Sequence, residues 1–341
     1  MSNKTVHNTF IIAEIAQAHD GSLGILHSYI DALAEVGVDA IKFQTHIAEA
    51  ESSIHEPFRV NFSYEDKTRY DYWDRMGFSL EYWHGIKNHC DEAGIEFMSS
   101  PFSQAAVDLL EEVGVKRYKI GSGEVTNFLM LEKICQTGKP IILSSGMSSF
   151  EELDQAVNFI ESRGNELSIL QCTTAYPTPY ERLGLNVIAE LKERYPNHKI
   201  GLSEHTAEIY ACIAGVALGA EILEFHAVWD KRMFGPDAKS SLTIDQIAEL
   251  VKGVRAVEKS LNNPIDKNDL TNYKSLKGIF EKSLAVNKNL KKGHVITFED
   301  LEAKKPANHG IPASKFRAVI GKALNRDMEK WDFLMTSSLA H

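Results

Sequence analysis

The chain has 341 residues, 43% hydrophobic and 25% charged, with a formal net charge of −10, which is room for one domain of about 250 residues and a smaller one, or for two medium ones. The acidic balance and the lack of any Lys/Arg-rich block argue against nucleic acid and anionic membranes, so an anionic substrate would need a few placed lysines to overcome the global field. Cys90, Cys135, Cys172 and Cys212 have no CxxC spacing, the opening MSNKTVHNTF has no apolar leader run, and no stretch can span a bilayer, so a cytoplasmic enzyme with reduced thiols is expected.

From residue 9 to about 262, short β-branched runs alternate with amphipathic segments. The runs are FIIAEI, DAIKFQ, IEFMS, RYKIG, PIILSS, LSILQCT, KIGLSE and EILEFHA; LGILHSYIDALAEVG, SQAAVDLLEEVG and SFEELDQAVNFIESRG lie between them. Eight strand–helix units over about 250 residues predict a (β/α)8 TIM barrel, with a doubly wound open sheet as the competitor, because periodicity alone cannot close a barrel. One connection is too long: ESSIHEPFRVNFSYEDKTRYDYWDRMGF after the second strand. It is read as a loop whose aromatics pack a cover over the barrel mouth. The polar NNPIDKNDLTNYKS leads to a linker over 263–280. Residues 281–341, with short Val/Ile/Leu runs and Lys-Gly turns, predict a small, mostly β domain close to the lower size limit for independent stability.

Catalytic groups of such a barrel sit at the C-terminal strand ends. Those ends carry Glu14, Lys42 and Gln44, Ser99 and Ser100, Lys119 with Ser122 and Glu124, Ser144 and Ser145, Thr173 and Tyr176, Ser203 and His205, and Glu224 and His226. Lys42 and Gln44 share a face by the two-residue period, as do Ser203 with His205 and Glu224 with His226. Singly, each has a plain structural reading: a solvated rim lysine, a satisfied core histidine, a serine that caps the next helix. Their convergence points to chemistry. Lysines with hydroxyls suit phosphate or carboxylate oxygens. Two imidazoles suit a divalent ion such as Mn, Fe, Co or Zn, with positions left for water and substrate.

These residues resemble the sialic acid synthases, which condense phosphoenolpyruvate with an N-acylated aldose to give nonulosonic acids. The resemblance runs nearly end to end through AEI…HDGS, IKFQTH, SSPFS, KIGSGEVTN, GKPIILSSGMSS, QCTTAYPTPY, GLSEHT, ALGAEILEFHAV and GPDAKSSL. The tail LKKGHVITFEDLEAKKPANHGI…VIGKALNRD is similar to that family's C-terminal antifreeze-like (SAF) domain. The resemblance implies that Lys42, Ser100, Lys119, Ser122, Ser144 and Ser203 cradle phosphoenolpyruvate. It implies His205 and His226 as ligands of a divalent metal, manganese first, with magnesium, cobalt, iron or zinc as alternatives. Glu14 is then the carboxylate near the reacting carbons, and Glu224 positions ligand or metal-bound water. Gln44, Glu124, Thr174, Tyr176 and Asp237 are the implied sugar contacts. A domain-swapped homodimer is also implied, with Lys305 and Asn308 of one chain over the other's barrel mouth.

The chain departs from the family pattern in three places, one of them Thr174, where an Asn, Ser or similar polar residue is common. AHDG stands where Asn-His-Asn-Gly is usual, and KPA where Arg-Pro-Gly is usual, so Lys305 replaces a planar arginine fork. The competing enzyme reading is a 3-deoxy-octulosonate or heptulosonate phosphate synthase, which needs extra cations such as Arg59, Arg69 and Arg75 for a distal phosphate. The non-enzymatic one is a silent sugar-binding or assembly protein.

Overall fold

The computed structural model describes residues 8–340; MSNKTVH, part of the stretch read as lacking a leader, lies outside them. It divides into two compact units, with the boundary between Pro264 and Ile265.

The first unit is a closed parallel barrel of β1 (Phe10–Glu14), β2 (Ala40–Thr45), β3 (Glu96–Pro101), β4 (Tyr118–Ile120), β5 (Ile141–Ser144), β6 (Leu167–Cys172), β7 (Lys199–Glu204) and β8 (Ile222–Val228). Each strand pairs with the next, and β1 pairs with β8 from Phe10↔Ile222 to Glu14↔His226. That last pairing rules out the open sheet. A two-residue strand, β9 (Leu242–Thr243), adds to the end of β8. No helix among the described residues is long and apolar enough to cross a membrane.

Alternation along the strands builds the interior in layers. Ile12, Ala40, Met98, Ile142, Leu170 and Ile222 form a closed apolar floor. Gly201 completes it by its lack of a side chain, since a Cβ there would lie 2.5 Å from Leu170 Cδ2. Two residues on, the same faces carry Glu14, Lys42, Ser100, Ser144, Cys172, Ser203 and Glu224. Two further on come Gln44, Thr174, His205 and His226. The opposite faces, among them Ile11, Ile41, Phe97, Ile169, Leu202 and Phe225, bury against the outer helices. Burying that much apolar surface holds the polar layer in register, at roughly 25 cal/mol per Å².

The caps separate serines of two kinds. Ser149 accepts from Glu152 N in a reciprocal capping box that starts the helix Phe150–Glu161, and Ser103 caps Gln104–Val113. Ser144, in the same SSGMSS run as Ser149, points inward.

The long connection after β2 differs from its reading as a loop. It contains the helices Ala48–Glu51 and Arg69–Met76, the second started by a Thr68/Asp71 capping box. Ala48, Tyr72, Trp73 and Met76 make its own small core, with Phe58, Phe62 and Tyr70 packed on it. TRYD was the available signal, in a helix of only eight residues.

The second unit, Ile265 onward, contains the helix Lys274–Phe280 inside the stretch read as a linker. Its regular β structure is one antiparallel pair, β10 (Ser283–Val286) with β11 (Leu301–Lys304), plus isolated bridges such as Leu290↔Met328 and Val295↔Ala323. Leu284, Val286, Ile296, Leu324, Met328 and Leu334 form its core. This small, mostly β unit keeps its strands short and joins its other extended segments through single bridges.

Candidate active site

The two inner layers open into a cavity of about 400 Å³ at the C-terminal end of the barrel. Its floor is an ion cluster. Lys42 Nζ lies 2.7 Å from Glu14 Oε1 and 3.7 Å from Glu224 Oε2, and Lys119 Nζ lies 3.2 Å from Glu224 Oε1. Lys119 also donates to Ser144 Oγ at 2.7 Å, Lys42 to Ser100 Oγ at 3.3 Å, and Ser203 Oγ to Glu224 Oε1 at 3.1 Å. All four charged side chains are buried. Burial opposes the charge on Glu14, yet Lys42, His226 and Lys119 outweigh it and hold the carboxyl well below the usual range. Lys42 is pushed the other way: burial disfavours its charge, but Glu14 and Glu224 raise it above its ordinary value. Two ammonium groups and two carboxylates neutralise one another, so an incoming anion must compete with carboxylates for its cations.

Above the floor, His205 and His226 lie with ring centroids 5.3 Å apart, and the Tyr176 ring is tilted 55° against His205 at 4.4 Å. His226 Nε2 is 3.5 Å from Glu14 Oε2. His205 Nδ1, Glu224 Oε2 and Thr174 Oγ1 are buried without hydrogen-bond partners. Such atoms are rare in a finished interior because each costs about 1–3 kcal/mol. Here they cluster where a ligand would satisfy them. Cys172, unassigned in the sequence reading, lines the same wall; burial raises its thiol pKa, but hydrogen bonding to His205 and Ser122 and the charge of Lys119 bring it below its usual value.

Of the residues singled out in the sequence, Glu14, Lys42, Gln44, Ser100, Lys119, Ser122, Glu124, Ser144, Thr174, Tyr176, Ser203, His205, His226 and Asp237 all line this cavity. Lys305 belongs to the second unit, where its ammonium lies 4.9 Å from the Phe280 ring centroid. Arg59 and Arg69, named only for a distal phosphate, line it too, and sequence reasoning missed Gln17, His46, Glu51, Glu56, Trp73 and Phe102. Most sit on the long connection, where no strand period says which way a side chain points.

That connection closes the outer wall with paired charges. Arg59 Nη2 is 2.5 Å from Asp237 Oδ1 and its guanidinium lies 4.2 Å over the Tyr176 ring. Arg69 is 3.6 Å from Glu56 and 4.3 Å over Trp73. Arg75 pairs with Asp20 and Asp66, outside the lining. Glu124 is raised above the ordinary carboxylate range by burial, with Glu51 adding to the effect and Asn127 opposing it.

The NeuB family model matches residues 29–266 and the SAF domain model residues 281–340. The chain belongs to the NeuB family. An N,N'-diacetyllegionaminic acid synthase of Campylobacter jejuni is 33% identical to it over 94% of this chain and 97% of its own. The human N-acetylneuraminate-9-phosphate synthase is 33% identical over 96% of this chain and 92% of its own. Among solved structures, an N-acetylneuraminic acid (sialic acid) synthetase from Leptospira borgpetersenii, in complex with citrate, superposes with a TM-score of 0.70. It is 28% identical and covers 81% of this chain and 94% of its own.

Proposed function

We propose that this NeuB-family chain is a synthase that joins phosphoenolpyruvate to an unphosphorylated N-acylated amino aldose, giving a sialic-type 3-deoxy-2-keto acid and phosphate. The observation that carries the reading is the floor: two buried lysines and four inward hydroxyls (Ser100, Ser122, Ser144, Ser203), directly below two imidazoles and a carboxylate.

In this reading Lys42 and Lys119 bind the phosphate and carboxylate oxygens of phosphoenolpyruvate, and the serines donate to what the lysines leave open. The buried imidazoles, one with a free ring nitrogen, suit a divalent ion, manganese first. Among the described residues no three His, Cys, Asp or Glu side chains cluster to hold one, so two protein ligands would leave positions for water and sugar. When bound, the ion supplies Lewis-acid polarisation of the aldehyde oxygen. The cradle holds phosphoenolpyruvate C3 against the aldehyde carbon; as that bond forms, C2 becomes electrophilic, water adds there, and phosphate departs with its bridging oxygen. As the anion draws Lys42 away, Glu14 loses the cation that most strongly holds its pKa down and becomes a better base for the proton of that water. Held geometry and fixed charge supply most of the acceleration.

The phosphorylated-aldose alternative needs a free cation near the outer wall. Arg59, Arg69 and Arg75 each already face a carboxylate, so a distal phosphate would have to displace one, as a neutral sugar would not. Four free, buried cysteines suit the reducing cytoplasm. The proposal extends to a domain-swapped homodimer in which Lys305 of one protomer serves its partner's barrel. Provided that Lys305→Ala alone impairs turnover, a purified heterodimer of His205→Ala and Lys305→Ala chains should recover about half of wild-type activity. A heterodimer no better than the average of its parents counts against swapping.

The deciding test incubates the purified protein with phosphoenolpyruvate and a panel of C6 to C8 amino and diamino aldoses, free and phosphorylated. Phosphate release and product mass are followed. Turnover with a free N-acylated aldose is expected; turnover only with phosphorylated sugars, or with none, defeats the reading.

A further inference from the structure

We propose that His46 is a positioning residue that locks the side-chain amide of Gln44, so that Gln44 turns its N–H groups, and not its carbonyl, toward Glu14 and the sugar. His46 is buried just beyond the end of β2, its ring stacked between Trp73 (centroids 3.7 Å, planes 16° apart) and Phe102 (4.5 Å, 12°). That sandwich fixes where both ring nitrogens point. Nδ1 meets Glu51 Oε1 at 2.5 Å and Nε2 meets Gln44 Oε1 at 3.1 Å.

Proton counting then assigns the donors. Gln44 Nε2 donates to Glu14 Oε1 at 2.7 Å, the same oxygen that lies 2.7 Å from Lys42 Nζ. The Gln44 carbonyl therefore points the other way, where it accepts from Gln17 Nε2 at 2.9 Å. Facing an acceptor, His46 Nε2 must carry a hydrogen. Nδ1 faces a second carboxylate, so one further proton is held between Nδ1 and Glu51, on either partner. The pair thus keeps an Nε2–H donor whichever way that proton sits. With two donors already on its carbonyl, Gln44 has only its second amide hydrogen to offer a ligand, which selects an acceptor oxygen. Gln44 touches the sugar in this account; His46 acts through it.

The inference rests on the cavity being the aldose site, and its test separates the two ideas. In 15N NMR of the histidine side chains of the whole protein without substrate, His46 Nε2 is expected to carry a directly bonded hydrogen at neutral pH. An unprotonated Nε2 overturns the proposal, whatever the enzyme turns over. In kinetics, His46→Phe keeps a ring for the sandwich and removes both N–H groups. The aldose KM should rise about tenfold, as for a lost hydrogen bond, with the phosphoenolpyruvate KM little changed. Added to Gln44→Ala, the same substitution should cost nothing further. Equal rises in both KM values, or additive losses in the double variant, overturn the positioning role. Should His46→Phe not fold, the wild-type resonance, assigned through His46→Asn, decides alone. If the wild type condenses no aldose, the functional reading fails and the NMR result still stands.

Discussion

The floor of the cavity and its outer wall are built by different physics. Floor groups hang from strands whose register is set by the closed ladder, such as Glu14↔Lys42 and Ser203↔Glu224. They are buried, and each charge is compensated within a few ångströms. The wall comes from the connection between β2 and β3, held by its own aromatic cluster and by half-exposed ion pairs such as Arg59–Asp237. A barrel can change its wall without disturbing its floor. The floor should therefore govern the reaction shared within the family, and the wall which sugar enters.

Metal removal tests the floor hardest. Chelator-stripped protein, verified by elemental analysis, is expected to lose turnover and to regain it with manganese or another divalent ion; full activity of the stripped protein would remove His205 and His226 from the reaction. Next in size, Lys119→Ala and Lys42→Ala should each weaken phosphoenolpyruvate binding by about 2–5 kcal/mol and affect the aldose less. Calorimetric titration with unchanged affinity in both would dissolve the distinction between floor and wall.

His19 sits where the two regions meet, 5.0 Å from the Phe78 ring, with its Nδ1 accepting from Gly21 N. Burial, with His46 and Arg75 adding to it, depresses its pKa from 6.5 to about 3. A depressed histidine contributes stability in full above pH 6.5 and loses it as pH falls toward 3, because only the unfolded chain takes up the proton. Wild-type unfolding free energy should drop by about 2 kcal/mol more than that of His19→Asn between pH 7 and pH 5. Parallel urea titrations of the two proteins would refute the assignment. The smallest effect belongs to the wall: Arg59→Ala should cost about 1 kcal/mol or less, visible in aldose KM and absent from phosphoenolpyruvate KM.

Much of the floor was legible from strand periodicity. Glu224 and His226 look misplaced in a strand whose other face is apolar, until both faces are buried and one lines a barrel. His46, one residue past Thr45, and Gln17, three past Glu14, were missed because direction is no longer set by the pleat once a strand ends. The helix Arg69–Met76 was missed because it is short, and its buried Tyr72, Trp73 and Met76 serve a local cluster and not the barrel core.

By itself the sequence determined the eight units and the lysines, serines and imidazoles at the strand ends. These follow from a two-residue period and from the need to bury both faces of a parallel strand. Only the tertiary structure decided that β1 closes on β8, that Arg59 finds Asp237 far along the chain, and which way the Gln44 amide faces. Those outcomes depend on groups from distant segments meeting in one place, where charge compensation and hydrogen-bond satisfaction select partners that local pattern cannot name.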